Sequence, residues 1–186
     1  MHVLNGCKVS LKQDRFTWRH DSIIKYIYDN IDSEKYEVYA DLDNCRVSES
    51  VTVPPHIIVT SHKPDLVIID NQKSEIHIFE LTVPFETNIE TRHLEKSNKY
   101  SNLTTDIDII SPHLTCFEVG SRGYLTPDNR KRLKTLQKFC KKSISHKQLM
   151  KEVSQIAIST SYYIFLTRND YERTMPKPLN GNTRKT

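Results

Sequence analysis

Two strand-like runs joined by a short polar segment constrain this chain more than anything else in it. KPDLVIID (Lys63–Asp70) and SEIHIFELTV (Ser74–Val83) are rich in β-branched and aromatic residues, and only Asn71-Gln72-Lys73-Ser74 separates their paired ends. If Asp70 pairs with Glu75 across that turn, an antiparallel hairpin follows and its register brings Asp65 opposite Glu80 on one face. Directly paired residues lie about 5 Å apart at Cα, so the two carboxylates repel each other. A divalent cation held between them would relieve the repulsion, and hard carboxylate oxygens suit Mg²⁺ or Mn²⁺. The arrangement points to metal-assisted phosphodiester chemistry, with Asp65 and Glu80 as metal ligands.

The rest of the chain builds an α/β domain around this hairpin. Ile23, Ile24, Ile27, Tyr28 and Ile31 recur at helical spacing and predict an amphipathic helix from Phe16 to Ile31. Alternation at Tyr36, Val38, Ala40 and Leu42 predicts a strand, followed by a polar loop over 43–56 and a short apolar run, Ile57–Thr60. Pro84 ends the second hairpin arm because it cannot donate to a ladder. A helix is expected over Phe85–Leu103 and a strand over His113–Gly120. A further helix opens at Thr126-Pro127, where threonine can cap and proline suits the first turn. A last helix is expected over Lys147–Leu166, although Ile158–Ile164 is rich in β-formers. The predicted order is αβββαβ with additional C-terminal helices. The boundaries are a linker-like segment over 1–15, a domain over 16–171 and a disordered basic tail over 172–186.

Bulk properties narrow the setting. The chain's 186 residues suffice for one core, and its net charge of +4 is compatible with an anionic partner without requiring one. The four cysteines, Cys7, Cys45, Cys116 and Cys140, are widely spaced and form no CxxC unit, which favours a reducing, intracellular setting over a disulfide framework. No apolar run reaches the length needed to cross a bilayer.

Pro64-Asp65 on one strand and Glu80 on the next resemble the PD-(D/E)xK nuclease superfamily and imply a restriction-endonuclease-like fold. Such enzymes carry a lysine two residues after the second acid, where this chain has Thr82. Three lysines could replace it. On the helix after the hairpin, Ile89, His93, Lys96, Tyr100 and Leu103 form one stripe with Lys96 near its centre, and Lys99 is displaced by about 60°. Lys63 would face Thr82 across the hairpin. The order of preference is Lys96, Lys99, Lys63.

Longer strings are similar to a narrower family. TWRHDSII (Thr17–Ile24), KPDLVIID, FELTVPFETNIE (Phe79–Glu90), KSNKYSNL (Lys96–Leu103) and EVGSRGY (Glu118–Tyr124) together resemble the C-terminal restriction-like endonuclease region of non-LTR retrotransposon reverse transcriptase proteins. The resemblance runs from about His2 to Asp170. It implies nicking of chromosomal DNA in the nucleus, metal binding by Asp65 and Glu80, and a catalytic part for Lys96 or Lys99 with Tyr100. It also implies upstream reverse transcriptase and zinc-knuckle domains in a full-length protein. His2 and Cys7 have the spacing of the second half of such a knuckle, so residues 1–15 read as its remnant. Arg19, His20 and Asp21 match the family's first-helix motif.

Candidate DNA contacts are Arg19 and His20 at the helix entry, Arg122 at a turn after a strand, and Lys131 and Arg132 within NRKRLKTLQKFCKK, whose seven basic residues could follow a phosphate backbone. Two other functions remain open from sequence. One is a DNA-binding remnant that has lost catalysis, since the usual lysine is missing. The other is a structural or interaction domain whose acid pair is incidental.

Overall fold

The computed structural model describes residues 2–42, 63–100 and 111–170. Their elements in chain order are α1 (His2–Asn5), α2 (Lys8–Lys12), α3 (Arg15–Asn30), β1 (Glu37–Ala40), β2 (Leu66–Asp70), β3 (Glu75–Thr82), α4 (Ile89–Tyr100), β4 (Ser111–Glu118), α5 (Pro127–Gln137) and α6 (His146–Leu166). The architecture is mixed α/β. One four-stranded sheet runs β1-β2-β3-β4, with β1–β2 and β2–β3 antiparallel and β3–β4 parallel. α4 belongs to the crossover between the two parallel strands, as a parallel neighbour requires.

The hairpin register is the one its turn chemistry demands. Asp70 pairs with Glu75 and Leu66 with Phe79. The Asp70 carboxylate accepts hydrogen bonds from the Gln72 and Lys73 backbone N–H groups at 3.1 and 3.2 Å, and Ser74 takes the left-handed conformation at φ 55°. That aspartate-capped turn closes the loop without a bulge. All five residues of β2 are buried, as befits a central strand covered on both faces.

Period-two alternation sends the two faces into separate clusters. Leu66, Ile68, Phe79, Leu81 and Phe117 join Ile23, Ile24 and Ile27 of α3, together with apolar residues of α5 and α6, in the larger core. Val67, Ile69, Ile76, Ile78 and Tyr100 form the smaller core on the opposite face, beneath α4. α5 begins as expected, with the Thr126 hydroxyl accepting from the Asn129 N–H at 3.1 Å. The β-formers of Ile158–Ile164 lie in α6, where Val153, Ile156, Ala157, Thr160 and Ile164 face the core. Tertiary burial overrides local propensity there.

The segment expected to be a linker is instead packed. α2 lies against α3 and α1 against α6, and Ser10 is buried. Arg15 is fully buried and donates to the Thr167 carbonyl at 2.8 Å and the Asp170 carbonyl at 2.6 Å, so residues before 16 are tied to the end of α6. The loop and short strand expected over 43–60, Leu103 and the tail over 172–186 lie outside the described residues. No helix among the described residues is long and apolar enough to cross a membrane.

Candidate active site

The β2–β3 ladder stops at Leu66–Phe79, because Pro64 has no N–H to extend it. Beyond that point two carboxylates take over the pairing. Asp65 Oδ2 accepts from the Leu81 N–H at 2.7 Å, and Glu80 Oε1 accepts from the Asp65 N–H at 3.2 Å. Each acid therefore braces the opposite strand, and both point to the face that α4 covers. Glu80 is fully buried and Asp65 nearly so.

Lys96 reaches them from α4. Its Nζ donates to Glu80 Oε2 at 2.7 Å and lies 3.5 Å from Asp65 Oδ2. The roughly three turns from Ile89 to Tyr100 explain the aim: Ile89 and Tyr100 are buried on the sheet side and set the helix's rotation, so a lysine on the same stripe must point inward. Lys96 thus comes from α4 and not from the position two residues after Glu80. Thr82 at that position has a buried hydroxyl with no hydrogen-bond partner.

The second cation at the pair is His20. Its Nε2 lies 3.2 Å from Asp65 Oδ2 and its Nδ1 lies 3.0 Å from Asp21 Oδ1. An imidazole facing a carboxylate on each side has both nitrogens as donors, which is the protonated form. Burial opposes that charge, but the Asp65 and Asp21 carboxylates outweigh it and push the His20 pKa up to about 10. Asp65 is also disfavoured as an anion by burial, yet His20, Lys96 and the Leu81 N–H hold it well below the usual carboxylate range. Glu80 has the opposite balance. Burial and the Asp65 charge outweigh Lys96 and raise its pKa to about 7. The two acids of one site are thus driven apart in acidity, a pattern common where acid–base or metal chemistry is done.

Tyr100 packs beneath this cluster. Its ring lies 5.4 Å from Lys96 Nζ and 4.8 Å from Lys99 Nζ, and its hydroxyl donates to the Lys63 carbonyl at 3.3 Å. Burial and Glu80 hold the phenol firmly protonated. Lys99 sits at the rim and donates to the Tyr100 hydroxyl at 3.3 Å, and the ladder does not extend to Lys63. A cleft of about 350 Å³ opens beside the cluster, lined by Phe16, Arg19, His20, Thr82, Arg92 and Lys96 among others.

The candidate DNA contacts separate into two kinds. Arg19 is buried, with its guanidinium donating to the Leu4 carbonyl at 3.2 Å, Ser161 Oγ at 3.1 Å and the Val83 carbonyl at 2.8 Å. Desolvation lowers its pKa to about 10. It clamps α1, α6 and the end of β3 together, and it also lines the cleft. Arg132 is also engaged: it donates to Asn129 Oδ1 at 2.9 Å and His93 Nε2 at 3.0 Å, and lies 3.4 Å from Glu118 Oε2. Arg122 and Lys131 are well exposed. Arg122 pairs with Glu86 at 2.8 Å and stacks over Phe85, and Lys131 pairs with Asp128 at 3.0 Å. The Lys131–Asp128 pair, exposed on both sides, is weak and open to competition from phosphate, whereas the Glu86 partner of Arg122 is largely buried.

Sequence reasoning missed three things here. Arg92 lines the cleft beside Lys96. His93 bridges α4 to buried Glu118 at 2.9 Å, and only its place on the inward stripe hinted at this. Third, among the described residues Glu75, His77 and His113 form a group that could hold a metal ion, with ligand atoms within 4.8 Å of one another. His77 and His113 are opposite each other in the β3–β4 register, a non-local pairing that no local pattern reveals. No protein-family model matches the chain, and no curated protein matches it.

Proposed function

We propose that the chain is a divalent-metal-dependent DNA endonuclease with a restriction-endonuclease-like core, of the kind found at the C-terminus of non-LTR retrotransposon proteins. One observation carries the reading: a lysine from α4 meets two carboxylates from adjacent strand ends, although the sequence has Thr82 where that lysine usually stands.

The donor chemistry fits the cation. Two carboxylates fixed by backbone N–H groups offer hard oxygens, and burial together with the Asp65 charge raises Glu80 and disfavours a second anion, which a divalent ion would compensate. Asp65 and Glu80 would hold Mg²⁺ or Mn²⁺, which supplies Lewis-acid polarisation of the phosphate and a more acidic bound water. The remaining roles belong to the chain itself. Lys96, kept cationic by both acids, places a positive charge where a scissile phosphate would sit. His20 fixes Asp65 in its ionised form and in one orientation. Arg92 and His20 give the cleft a cationic rim. Lys131 and Arg122 suit contacts to the sugar–phosphate backbone, which position a duplex without reading it.

The Lys96 contact also favours a second reading. An ammonium within hydrogen-bond reach of a carboxylate already compensates the pair, so the cluster could be a structural ion network in a DNA-binding domain that does not cut. Nicking of supercoiled plasmid separates the two. Mg²⁺- or Mn²⁺-dependent nicking that Asp65→Asn abolishes, with far-UV circular dichroism unchanged, supports the endonuclease. Salt-sensitive DNA binding with no nicking under either ion supports the silent domain, and nicking that survives Asp65→Asn removes the site assignment.

A further inference from the structure

The group of Glu75, His77 and His113 lies apart from the acid pair in every respect that matters. Along β3, Glu75 and His77 share a face with Phe79 and Leu81, whereas Glu80 points to the opposite face. The group sits where β3 and β4 begin, and the acid pair lies near the end of β3. Nothing in the proposed nuclease chemistry uses it.

Its geometry is that of a partly assembled ligand set. Residues two apart on a strand project side by side, so Glu75 and His77 are neighbours by necessity, and Glu75 Oε2 lies 3.1 Å from His77 Nε2. The parallel register adds His113 directly beside His77, with the imidazoles stacked at 4.8 Å. Phe139 packs against the His77 ring at 4.5 Å and limits its rotation. One ligand is therefore held in place, while His113 is exposed and stacks on it. In tetrahedral coordination with metal–nitrogen bonds of 2.0–2.1 Å, donor atoms stand about 3.3 Å apart. The present spread, up to 4.8 Å, would close toward that spacing on binding.

The charges nearby are accounted for. Asp70, opposite Glu75 on β2, is engaged by Lys73 at 3.2 Å and by the turn's N–H groups. It contributes negative potential without competing as a ligand.

We propose that Glu75, His77 and His113 bind a borderline transition-metal dication of the Zn²⁺ class, in a three-ligand site with a coordination position open to solvent. The ligand set decides the class. Two imidazoles and one carboxylate suit Zn²⁺, Co²⁺ or Ni²⁺, whereas Mg²⁺ prefers the oxygen ligands of the acid pair. The chain then carries two cation sites of different hardness on opposite faces of one sheet. The metal would cross-link the starts of β3 and β4, the parallel pair of the sheet.

The test uses the full chain, untagged and stripped with chelator, titrated with Zn²⁺ by calorimetry and with Co²⁺ by visible absorption. The expected result is one equivalent of Zn²⁺ that millimolar Mg²⁺ does not displace, with Co²⁺ giving absorption typical of low coordination number. His113→Ala removes an exposed ligand with little risk to folding and should weaken binding by about tenfold or more. His77→Gln should do the same. Glu80→Gln and Cys7→Ser should leave Zn²⁺ binding intact, the latter excluding the His2/Cys7 pair as its source. No binding above the background of the His113→Ala protein, or binding lost with Cys7→Ser instead, overturns the proposal. Plasmid nicking with Mg²⁺ should be unaffected by His113→Ala, so loss of the zinc site and loss of the nuclease reading are separate outcomes.

Discussion

At the scale of single residues the site is a four-charge problem, and its pH behaviour follows from which proton each group keeps. His20 has its folded pKa raised to about 10, against about 6.5 when unfolded. Its contribution is therefore fully present below pH 6.5 and lost as the pH rises through 10. His20→Gln should cost about 3 kcal/mol at pH 6, a figure discounted because the ring keeps some solvent contact, and little above pH 10. Urea denaturation of both proteins at the two pH values measures the gap. Glu80 is also raised, to about 7, so its effect has the same sign: the fold loses stability as Glu80 ionises between about pH 4.5 and 7. Lys96 limits that loss. Lys96→Met should leave the metal-free protein destabilised by about 3 kcal/mol at pH 8, where both acids are charged, and by much less at pH 5. Added Mn²⁺ should raise the melting temperature of Lys96→Met more than that of the parent if the pair binds a divalent ion.

At the scale of elements, what could be read from the sequence was whatever depends on local pattern. The hairpin register followed from a four-residue turn and from period-two alternation. The same register puts Asp65 and Glu80 on one face. The stripe on α4 pointed Lys96 inward for the same kind of reason. Arg19 was misleading because an arginine beside a tryptophan at a helix start looks like a phosphate contact, and its three acceptors come from α1, α6 and the residue after β3, all remote in sequence. His77 and His113 were invisible as a pair because the parallel register is set across a helix. Arg19 gives this scale its prediction. Arg19→Ala removes the donor to the Leu4 carbonyl, the buried Val83 carbonyl and buried Ser161 Oγ, and should cost about 3 kcal/mol or more. It should weaken DNA binding only in proportion to the fraction unfolded. A urea titration and a binding isotherm on the same preparation check both halves. A large binding defect in fully folded protein would return Arg19 to the DNA interface.

For the whole molecule the question is how a chain of net charge +4 would hold a polyanion. A charge that small, spread evenly, would give little attraction at physiological salt, where the Debye length is about 8 Å. Binding must then come from local concentrations of charge, and only cations not already committed inside the fold can release counterions from DNA. Arg15, Arg19 and Arg132 are committed, each donating to at least two acceptors. Lys131 is exposed and holds only the exposed Asp128. Replacing it with alanine removes one phosphate contact at most, so the slope of log K against log salt should fall by about 0.9. Stability should not change. Arg132→Ala should behave differently, because it strips partners from buried Glu118 and from His93 on the helix that carries Lys96. It should lower nicking more than binding, with the salt slope nearly unchanged. Equal changes in slope for the two variants would mean that Arg132 leaves its network to meet DNA, and that the cationic surface is larger than the free molecule displays.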